Sequence, residues 1–116
     1  MGLLMAEKGA HILVYPGSFN QVTGPLHWEL LLRGRALDTQ CYTIGVSCAQ
    51  YKDDPKIYQA WGHSTLVDPF GKVLVTLDEN PNVAFYDVDP SYCDEVRQNI
   101  PIRKQKRHDL YKLEEL

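Results

Sequence analysis

The stretch HILVYPGSFNQVTGPLHWELLLRGRALDTQCYTIGVSC, residues His11–Cys48, decides the fold. It opens with a β-rich apolar run, His11–Tyr15, that stops at a Pro-Gly pair. A helical pattern follows over Leu26–Leu37, and a second apolar run, Cys41–Cys48, completes the stretch. The pattern predicts a β-α-β unit, whose two strands are parallel and joined by a right-handed connection.

The predicted helix begins at Thr23 or Gly24, either of which can cap it, with Pro25 in the first turn. There the fixed φ and missing N–H of proline do no harm. The apolar residues of this helix spread over more than one face, which predicts that it is covered on two sides, by its own sheet and by another layer or subunit. They are Leu26, Trp28, Leu30, Leu31, Leu32, Ala36 and Leu37.

Further elements flank this unit. Gly2–Lys8 is short and helix-prone, and Gly9 suits a left-handed cap at its end. The polar stretch Gln50–Gln59 reads as a long loop. Val83–Val88 is rich in β-branched and aromatic residues, which predicts a strand.

A hairpin and a last helix complete the prediction. Asp68-Pro69-Phe70-Gly71 has the residues that a type I turn prefers, between strands Ser64–Val67 and Lys72–Leu77. Asp89 caps the helix with Pro90 at its first position, and an Ile-Pro pair at Ile100 ends it.

The composition of the chain argues against several classes of function. The 116 residues, 44% of them hydrophobic, suffice for one compact domain. A formal net charge of −3 argues against a nucleic-acid binder that neutralises phosphates. No apolar run approaches the roughly 20 residues that a membrane span requires, and Glu7 and Lys8 interrupt the N-terminal segment, which does not suit a signal peptide. We therefore expect a cytoplasmic protein, with a mitochondrial location as the alternative.

The three cysteines are an odd number, and they show neither a CxxC pair nor zinc-like spacing. Three thiols cannot all pair within one chain. We expect Cys41, Cys48 and Cys93 to be reduced and structural, and the sequence points to no metal site.

Four stretches of the chain carry a family resemblance: HILVYPGSFN (His11–Asn20), TGPLHWELLLRGRALDTQ (Thr23–Gln40), WGHSTLVDPFGKVL (Trp61–Leu74) and IPIRKQKRHDLY (Ile100–Tyr111). In this order and at this spacing they resemble the nitrilase superfamily of carbon-nitrogen hydrolases. They look most like its omega-amidase branch, whose members hydrolyse the terminal amide of alpha-keto acids such as alpha-ketoglutaramate. The resemblance covers nearly the whole chain.

The resemblance implies an α/β fold, the nitrilase-type four-layer α-β-β-α sandwich, in which two sheets pack face to face between helical layers. The chain corresponds to the C-terminal part of that sandwich, beginning just after the catalytic cysteine motif, with a mixed sheet. Residues 1–116 then form one partial domain, with residues 101–116 as a C-terminal tail. Without the second sheet, an apolar sheet face stays uncovered in an isolated monomer, which favours association.

The catalytic residues of the family cannot be assigned in this chain. The family uses a Glu, a Lys and a Cys, with a second Glu assisting, and the resemblance places all four N-terminal to the block that Gly2 opens. The family needs no metal or organic cofactor. The resemblance therefore implies a chain that is inactive alone.

Two residues are candidates for the substrate pocket. Phe19 and Thr23 follow the carboxyl end of the first predicted parallel strand, where open α/β sheets place their ligand crevice. In omega-amidases the matching phenylalanine packs on the carbon chain of the substrate, and the matching threonine binds near its keto-acid end. The alternative is ordinary packing within the loop.

The histidine and cysteine side chains are weaker candidates for catalytic or binding residues than Phe19 and Thr23. The resemblance implies a positional and packing role for His27, and His63 in WGHS reads as a hydrogen-bonded packing residue. His11 and His108 have no neighbours in sequence that suggest chemistry. Cys48 ends a strand, but no nearby residue supplies the base that a thiol nucleophile needs.

The basic run near the C-terminus could contact phosphate or an acidic partner. The acidic residues close behind favour a solvated or subunit-facing tail instead. The run consists of Arg103, Lys104, Lys106 and Arg107.

Two function classes therefore remain open. In the first, the chain is the C-terminal part of an omega-amidase-like hydrolase of small amides, and it forms homo-oligomers through its long helix and tail, as the family does. In the second, it is a non-catalytic interaction subunit or pseudoenzyme fragment that docks on a full-length homologue. An unrelated small α/β binding domain would leave four ordered motif matches to coincidence.

Overall fold

The computed structural model describes residues 1–115, and this part of the chain contains three helices and one four-stranded sheet. Within it, no helix is both long and apolar enough to cross a membrane. The elements in chain order are α1 (Gly2–Glu7), β1 (Ile12–Pro16), α2 (Thr23–Thr39), β2 (Tyr42–Val46), β3 (Thr65–Val67), β4 (Val73–Thr76) and α3 (Ser91–Asn99).

The sheet is mixed, with the spatial order β1-β2-β3-β4. β1 and β2 are parallel, with Ile12 opposite Tyr42 and Pro16 opposite Val46. β3 is antiparallel to β2 and to β4. The β-α-β unit predicted from the sequence is confirmed, and the fold class with it.

One face of the sheet packs against α2. Trp28, Leu32 and Ala36 of this helix form the main core with Val67 of β3. The sheet approaches the helix closely at Gly45, where an added Cβ would lie 2.5 Å from Leu32 Cδ1. The remaining apolar residues of α2 are largely exposed, namely Leu26, Leu30, Leu31 and Leu37.

The opposite face of the sheet is covered only in part. Cys93 of α3 packs with Tyr42 and Leu66 at one end of this face. Val14 of β1 and Val46 of β2 remain 56% and 46% exposed. The uncovered apolar sheet face expected from the resemblance is therefore present in the described chain.

The hairpin between β3 and β4 forms as predicted, with strands that are shorter than Ser64–Val67 and Lys72–Leu77. Asp68 Oδ1 accepts hydrogen bonds from the backbone N–H groups of Phe70 and Lys72, each at 2.9 Å. Gly71 takes a φ of 83°, which glycine adopts readily.

The starts of two helices are set by carboxamide and carboxylate side chains. Asp89 caps α3 as predicted, because its Oδ1 accepts from Ser91 N at 2.9 Å and from Ser91 Oγ at 2.6 Å. The prediction that Thr23 or Gly24 caps α2 is wrong. Asn20 Oδ1 accepts from the backbone N–H groups of Val22 and Thr23 instead, since asparagine caps helices better than threonine or glycine.

The strand predicted over Val83–Val88 does not form within residues 1–115. The segment has no regular secondary structure and pairs with no strand of the sheet, and Phe85 is 92% exposed. Strand propensity alone does not make a strand, because the backbone hydrogen bonds need a partner. The predicted loop Gln50–Gln59 contains no helix or strand, as expected.

The segment after α3 is not a freely solvated tail, which corrects the prediction for Arg103 and Lys106. Arg103 donates to the backbone oxygens of Ala6 (2.9 Å) and Thr39 (2.7 Å), at the ends of α1 and α2. Lys106 forms an ion pair with Glu7. Guanidinium and ammonium groups can donate to the free carbonyls at the C-terminal end of a helix, and their positive charge interacts favourably with the helix dipole there. Of residues 101–116, the last lies outside the described part of the chain.

Candidate functional site

The loop after β1 lies at the carboxyl ends of the two parallel strands. The N–H of Gly17 donates to Val46 O at 2.9 Å, which ties this loop to the end of β2. The N–H of Trp61 donates to Phe19 O at 2.6 Å, and Asn20 bridges to Ala60. The loop that carries Phe19 is therefore held on both sides.

Phe19 packs with its ring edge-on to Trp28, at 5.2 Å between ring centroids and 69° between planes. It is half-buried, and it lines a cavity of about 220 Å³ between the loop and α2. The cavity is mainly apolar, with one guanidinium at its rim. Its other lining residues are Tyr15, Pro16, Gly17, Trp28, Leu31, Leu32 and Arg35.

Thr23 lies in the first turn of α2 and does not line this cavity. Its hydroxyl donates to Asn20 Oδ1 at 3.0 Å. The structure thus places both predicted pocket residues at one loop-helix junction, but it brings only Phe19 to the cavity wall. Their roles in substrate binding remain predictions.

The thiol of Cys48 is exposed, 3.4 Å from Ser18 Oγ. Within residues 1–115, no imidazole or carboxylate forms a hydrogen bond with it. A thiol nucleophile needs an adjacent base. The geometry therefore gives Cys48 no catalytic partner in this chain, as the sequence indicated.

The other two cysteines are buried and structural, and all three are free. Cys41 Sγ donates to Ala10 O at 3.1 Å, and Cys93 Sγ donates to His11 O at 3.4 Å. Burial raises the pKa of the Cys93 thiol. The expectation of reduced, structural thiols is confirmed for Cys41 and Cys93.

The WGHS segment contributes a stacked aromatic pair. The rings of Trp61 and His63 lie 4.0 Å apart and nearly parallel, at 8°. The indole Nε1 of Trp28 donates to His63 O at 2.7 Å. Because Trp28 also touches Phe19, the WGHS segment and the loop after β1 share one packing unit.

A larger cavity, of about 580 Å³, opens beside His63 at the same edge of the sheet. Its wall mixes hydroxyl, carboxylate, amide and imidazole groups with small apolar residues. The polar lining residues are Ser47, His63, Ser64, Asp78, Asn80 and Asn82.

The remaining histidines lie away from both cavities. His27 is exposed on the outer side of α2, so the expected packing role belongs to its neighbour Trp28. His11 Nε2 lies 3.8 Å from Asp94 Oδ1, and His108 is exposed. Across the described residues, no group of three or more His, Cys, Asp or Glu side chains is placed to hold a metal ion.

Sequence reasoning missed two features of this region. Asn20 was not recognised as the cap of α2, although an asparagine three residues before a helical turn is a signal for one. The left-handed backbone of His63, with φ of 57°, has no sequence signal beyond the preceding Gly62. The cap is a local contact with Val22 and Thr23, whereas the conformation of His63 depends on contacts with distant segments.

The chain belongs to the carbon-nitrogen hydrolase family, whose profile matches residues 2–98. The omega-amidase NIT2 of Xenopus tropicalis is 51% identical over 112 residues, which are 97% of this chain and 40% of that protein. Nitrilase homolog 2 of Dictyostelium discoideum is 47% identical over 116 residues, which are 100% of this chain and 35% of that protein. The chain spans about two-fifths or less of the length of these curated relatives.

The fold agrees with a solved member of the nitrilase superfamily. Nit3 of Saccharomyces cerevisiae, described as a member of branch 10 of that superfamily, superposes with a TM-score of 0.84 at 42% identity. The match covers 91% of this chain and 38% of Nit3. The mixed sheet and its helices are thus a nitrilase-type fold.

Proposed function

We propose that this chain is the C-terminal part of an omega-amidase and forms one wall of its substrate pocket. The observation that carries this proposal is the 51% identity, over 97% of the chain, to a relative named as an omega-amidase. The loop after β1 supports it, because open α/β sheets bind ligands beyond the carboxyl ends of their strands. The substrate is then a small alpha-keto acid with a terminal primary amide, such as alpha-ketoglutaramate.

In this proposal Phe19 packs against the carbon chain of the substrate and Thr23 binds near its keto-acid end. The acid end only accepts hydrogen bonds, so the Thr23 hydroxyl must turn its proton from Asn20 Oδ1 to the substrate. That oxygen keeps two backbone donors at 2.9 and 2.8 Å. The helix cap therefore survives the exchange.

The chemistry is proposed to come from residues outside this chain. In the whole enzyme a cysteine thiolate attacks the amide carbon, ammonia leaves, and water hydrolyses the acyl-enzyme. A glutamate acts as the base and a lysine stabilises the oxyanion. The chain alone is then inactive, and no metal or organic cofactor takes part.

Association is proposed to be part of this function. The outer face of α2 exposes Leu26, Leu30 and Leu37 at 63%, 68% and 51%. An apolar stripe of this kind favours a homo-oligomer contact. The proposed location is the cytoplasm, with mitochondria as the alternative.

The second candidate function is a non-catalytic subunit or pseudoenzyme fragment that docks on a full-length homologue. The uncovered sheet face favours it, since Val14, Val46 and Phe85 leave apolar surface in water. Burying such surface favours a complex through the hydrophobic effect, and binding of the partner then stabilises the folded chain.

The test is a chimera in which this chain replaces the matching segment of the Xenopus tropicalis enzyme. We expect the chimera to release ammonia from alpha-ketoglutaramate. Phe19→Ala should lower its kcat/KM at least tenfold, because the ring that packs on the substrate is lost. Phe70→Ala, at a half-exposed position in the turn between β3 and β4, is the matched control.

Two results would contradict the proposal. A folded chimera that releases no ammonia would reject the pocket-wall role and favour the docking subunit. Ammonia release by the isolated chain that persists in Cys48→Ala would show that the chemistry lies within these residues.

A further inference from the structure

His63 holds a backbone conformation that only a few residue types adopt readily. Its φ of 57° lies in the left-handed region, which is strained for most residues other than glycine. Such a conformation persists only where neighbouring groups fix it, and functional sites are among the places where it occurs.

The backbone and ring of His63 are fixed from several directions. Its N–H donates to Asp78 O at 3.1 Å. Its carbonyl oxygen accepts from Trp28 Nε1 at 2.7 Å and from Thr65 Oγ1 at 2.6 Å. Together with the stacking on Trp61, these contacts leave the imidazole a single orientation.

The protonation pattern of the ring follows from one contact. His63 Nδ1 lies 2.6 Å from Trp61 O. A carbonyl oxygen can only accept, so Nδ1 carries a hydrogen. In the neutral ring, Nε2 is then an acceptor with a free lone pair. Within the described part of the chain, Nε2 has no hydrogen-bond partner.

The other polar groups of the 580 Å³ cavity are already engaged. Asp78 accepts from the backbone N–H and the side-chain amide of Asn80. Ser64 Oγ interacts with the backbone N–H and oxygen of Ser47, and Ser47 Oγ donates to Cys48 O. The imidazole of His63 is therefore a rigid acceptor at this cavity, and its Nε2 is free of any hydrogen bond within the described residues.

We propose that His63 Nε2 accepts a hydrogen bond from the N–H of a primary carboxamide and so distinguishes amide from acid. The inference rests on the proposed amidase function and adds a specificity-determining residue to it. A carboxylate has no hydrogen to donate, so the neutral ring favours the amide. His63 and Phe19 line separate cavities, and the N–H of Trp61, two residues before His63, donates to Phe19 O and so joins the two segments.

Asparagine is the variant that isolates the ligand-facing atom. In His63→Asn the side-chain amide takes the place of Nδ1 and can still donate to Trp61 O, and asparagine tolerates the left-handed backbone. The atom equivalent to Nε2 is lost, together with the stacking of the ring on Trp61. His108→Asn makes the same exchange at an exposed site far from the cavity.

The experiment measures His63 directly in the full chain by long-range ¹H–¹⁵N NMR of the imidazole groups. We expect His63 to be the Nδ1–H tautomer, and alpha-ketoglutaramate to shift its Nε2 resonance more than alpha-ketoglutarate does. His63→Asn should weaken amide binding about fivefold and leave acid binding unchanged. His108→Asn should change neither affinity.

Each other result overturns the inference. An Nε2–H tautomer, equal responses to amide and acid, or unchanged amide binding in His63→Asn would reject it. The amidase proposal fails separately: a chimera that does not hydrolyse alpha-ketoglutaramate rejects that function, even when His63 still binds a simple primary amide such as acetamide. A chimera that is active, with an amide KM unaffected by His63→Asn, rejects only the role of His63.

Discussion

The indole Nε1 of Trp28 and the backbone oxygen of His63, 35 residues apart, are joined by a hydrogen bond of 2.7 Å. This bond connects the core helix α2 to the segment that enters β3. It also fixes Trp28, against which Phe19 packs. The wall of the proposed pocket therefore depends on a contact between two segments distant in sequence.

We predict that Trp28→Phe lowers the free energy of unfolding by about 2 kcal/mol, since it removes the donor and part of a buried ring. Urea titration measures the change. Thr65 also donates to His63 O, so Thr65→Val in the same background leaves that oxygen unpaired. The double variant should lose more than the sum of the single losses, and strict additivity would show that the two donors do not share this oxygen.

Gly45 is predicted to tolerate no side chain. In Gly45→Ala the new Cβ would lie 2.5 Å from Leu32 Cδ1 and 2.8 Å from Trp28 Cζ2. Overpacking of this kind costs about 1–3 kcal/mol. Gly34→Ala on α2 is the opposite case, because nothing lies within 4 Å of its added Cβ, and it should stabilise the helix by roughly 1 kcal/mol. Thermal unfolding of both variants, compared with wild type, should shift in opposite directions.

Arg103 is predicted to stabilise the chain through the ends of α1 and α2. Arg103→Gln removes the donors to Ala6 O and Thr39 O and should cost about 2 kcal/mol. Arg107→Gln is the control, because within residues 1–115 the Arg107 side chain pairs only with Asp109, on the surface, and no measurable change is expected. Equal losses in urea unfolding would mean that Arg103 acts only through its charge.

The cap of α3 is predicted to make stability depend on pH. The hydroxyl and N–H of Ser91 hold the pKa of Asp89 below its usual range. The stabilisation is therefore complete above the unfolded value of about 3.9 and is lost as the pH falls through the lower folded value. Between about pH 5 and pH 2 the melting temperature of Asp89→Asn should fall less than that of wild type, because asparagine caps without titrating. Ser91→Ala should give an intermediate slope, and a slope as steep as wild type in Asp89→Asn would exclude this cap as the cause.

Local patterns were enough to predict most of the fold. The apolar runs at β1 and β2 and the helical periodicity of α2 are properties of short segments, and so is the turn at Asp68. The position of Phe19 at the carboxyl ends of the parallel strands could be predicted for the same reason, because Phe19 closely follows a strand. The cavity that it lines could not be predicted, since that depends on how Trp28 is held.

The errors come from residues whose partners are distant or absent in the described chain. Val83–Val88 has strand-forming residues, but no strand within residues 1–115 pairs with it. Arg103 and Lys106 look like a solvated run until the ends of α1 and α2 are placed beside them. From the sequence, His63 is predicted to be a packing residue. Only the structure shows that its Nδ1 is hydrogen-bonded to Trp61 O, while its Nε2 has no hydrogen-bond partner within the described residues.

The bond from Arg103 to Ala6 also bears on the order in which the molecule is built during synthesis. It spans 97 positions of the chain, so it cannot form until nearly all of these residues have left the ribosome. Until then α1 is held by the packing of Ala6 against Leu13 and Cys41, and contacts between segments as distant as Ala6 and Arg103 are slow to close. The β-α-β unit can assemble early, and the docking of the C-terminal segment on α1 is then among the last steps of folding.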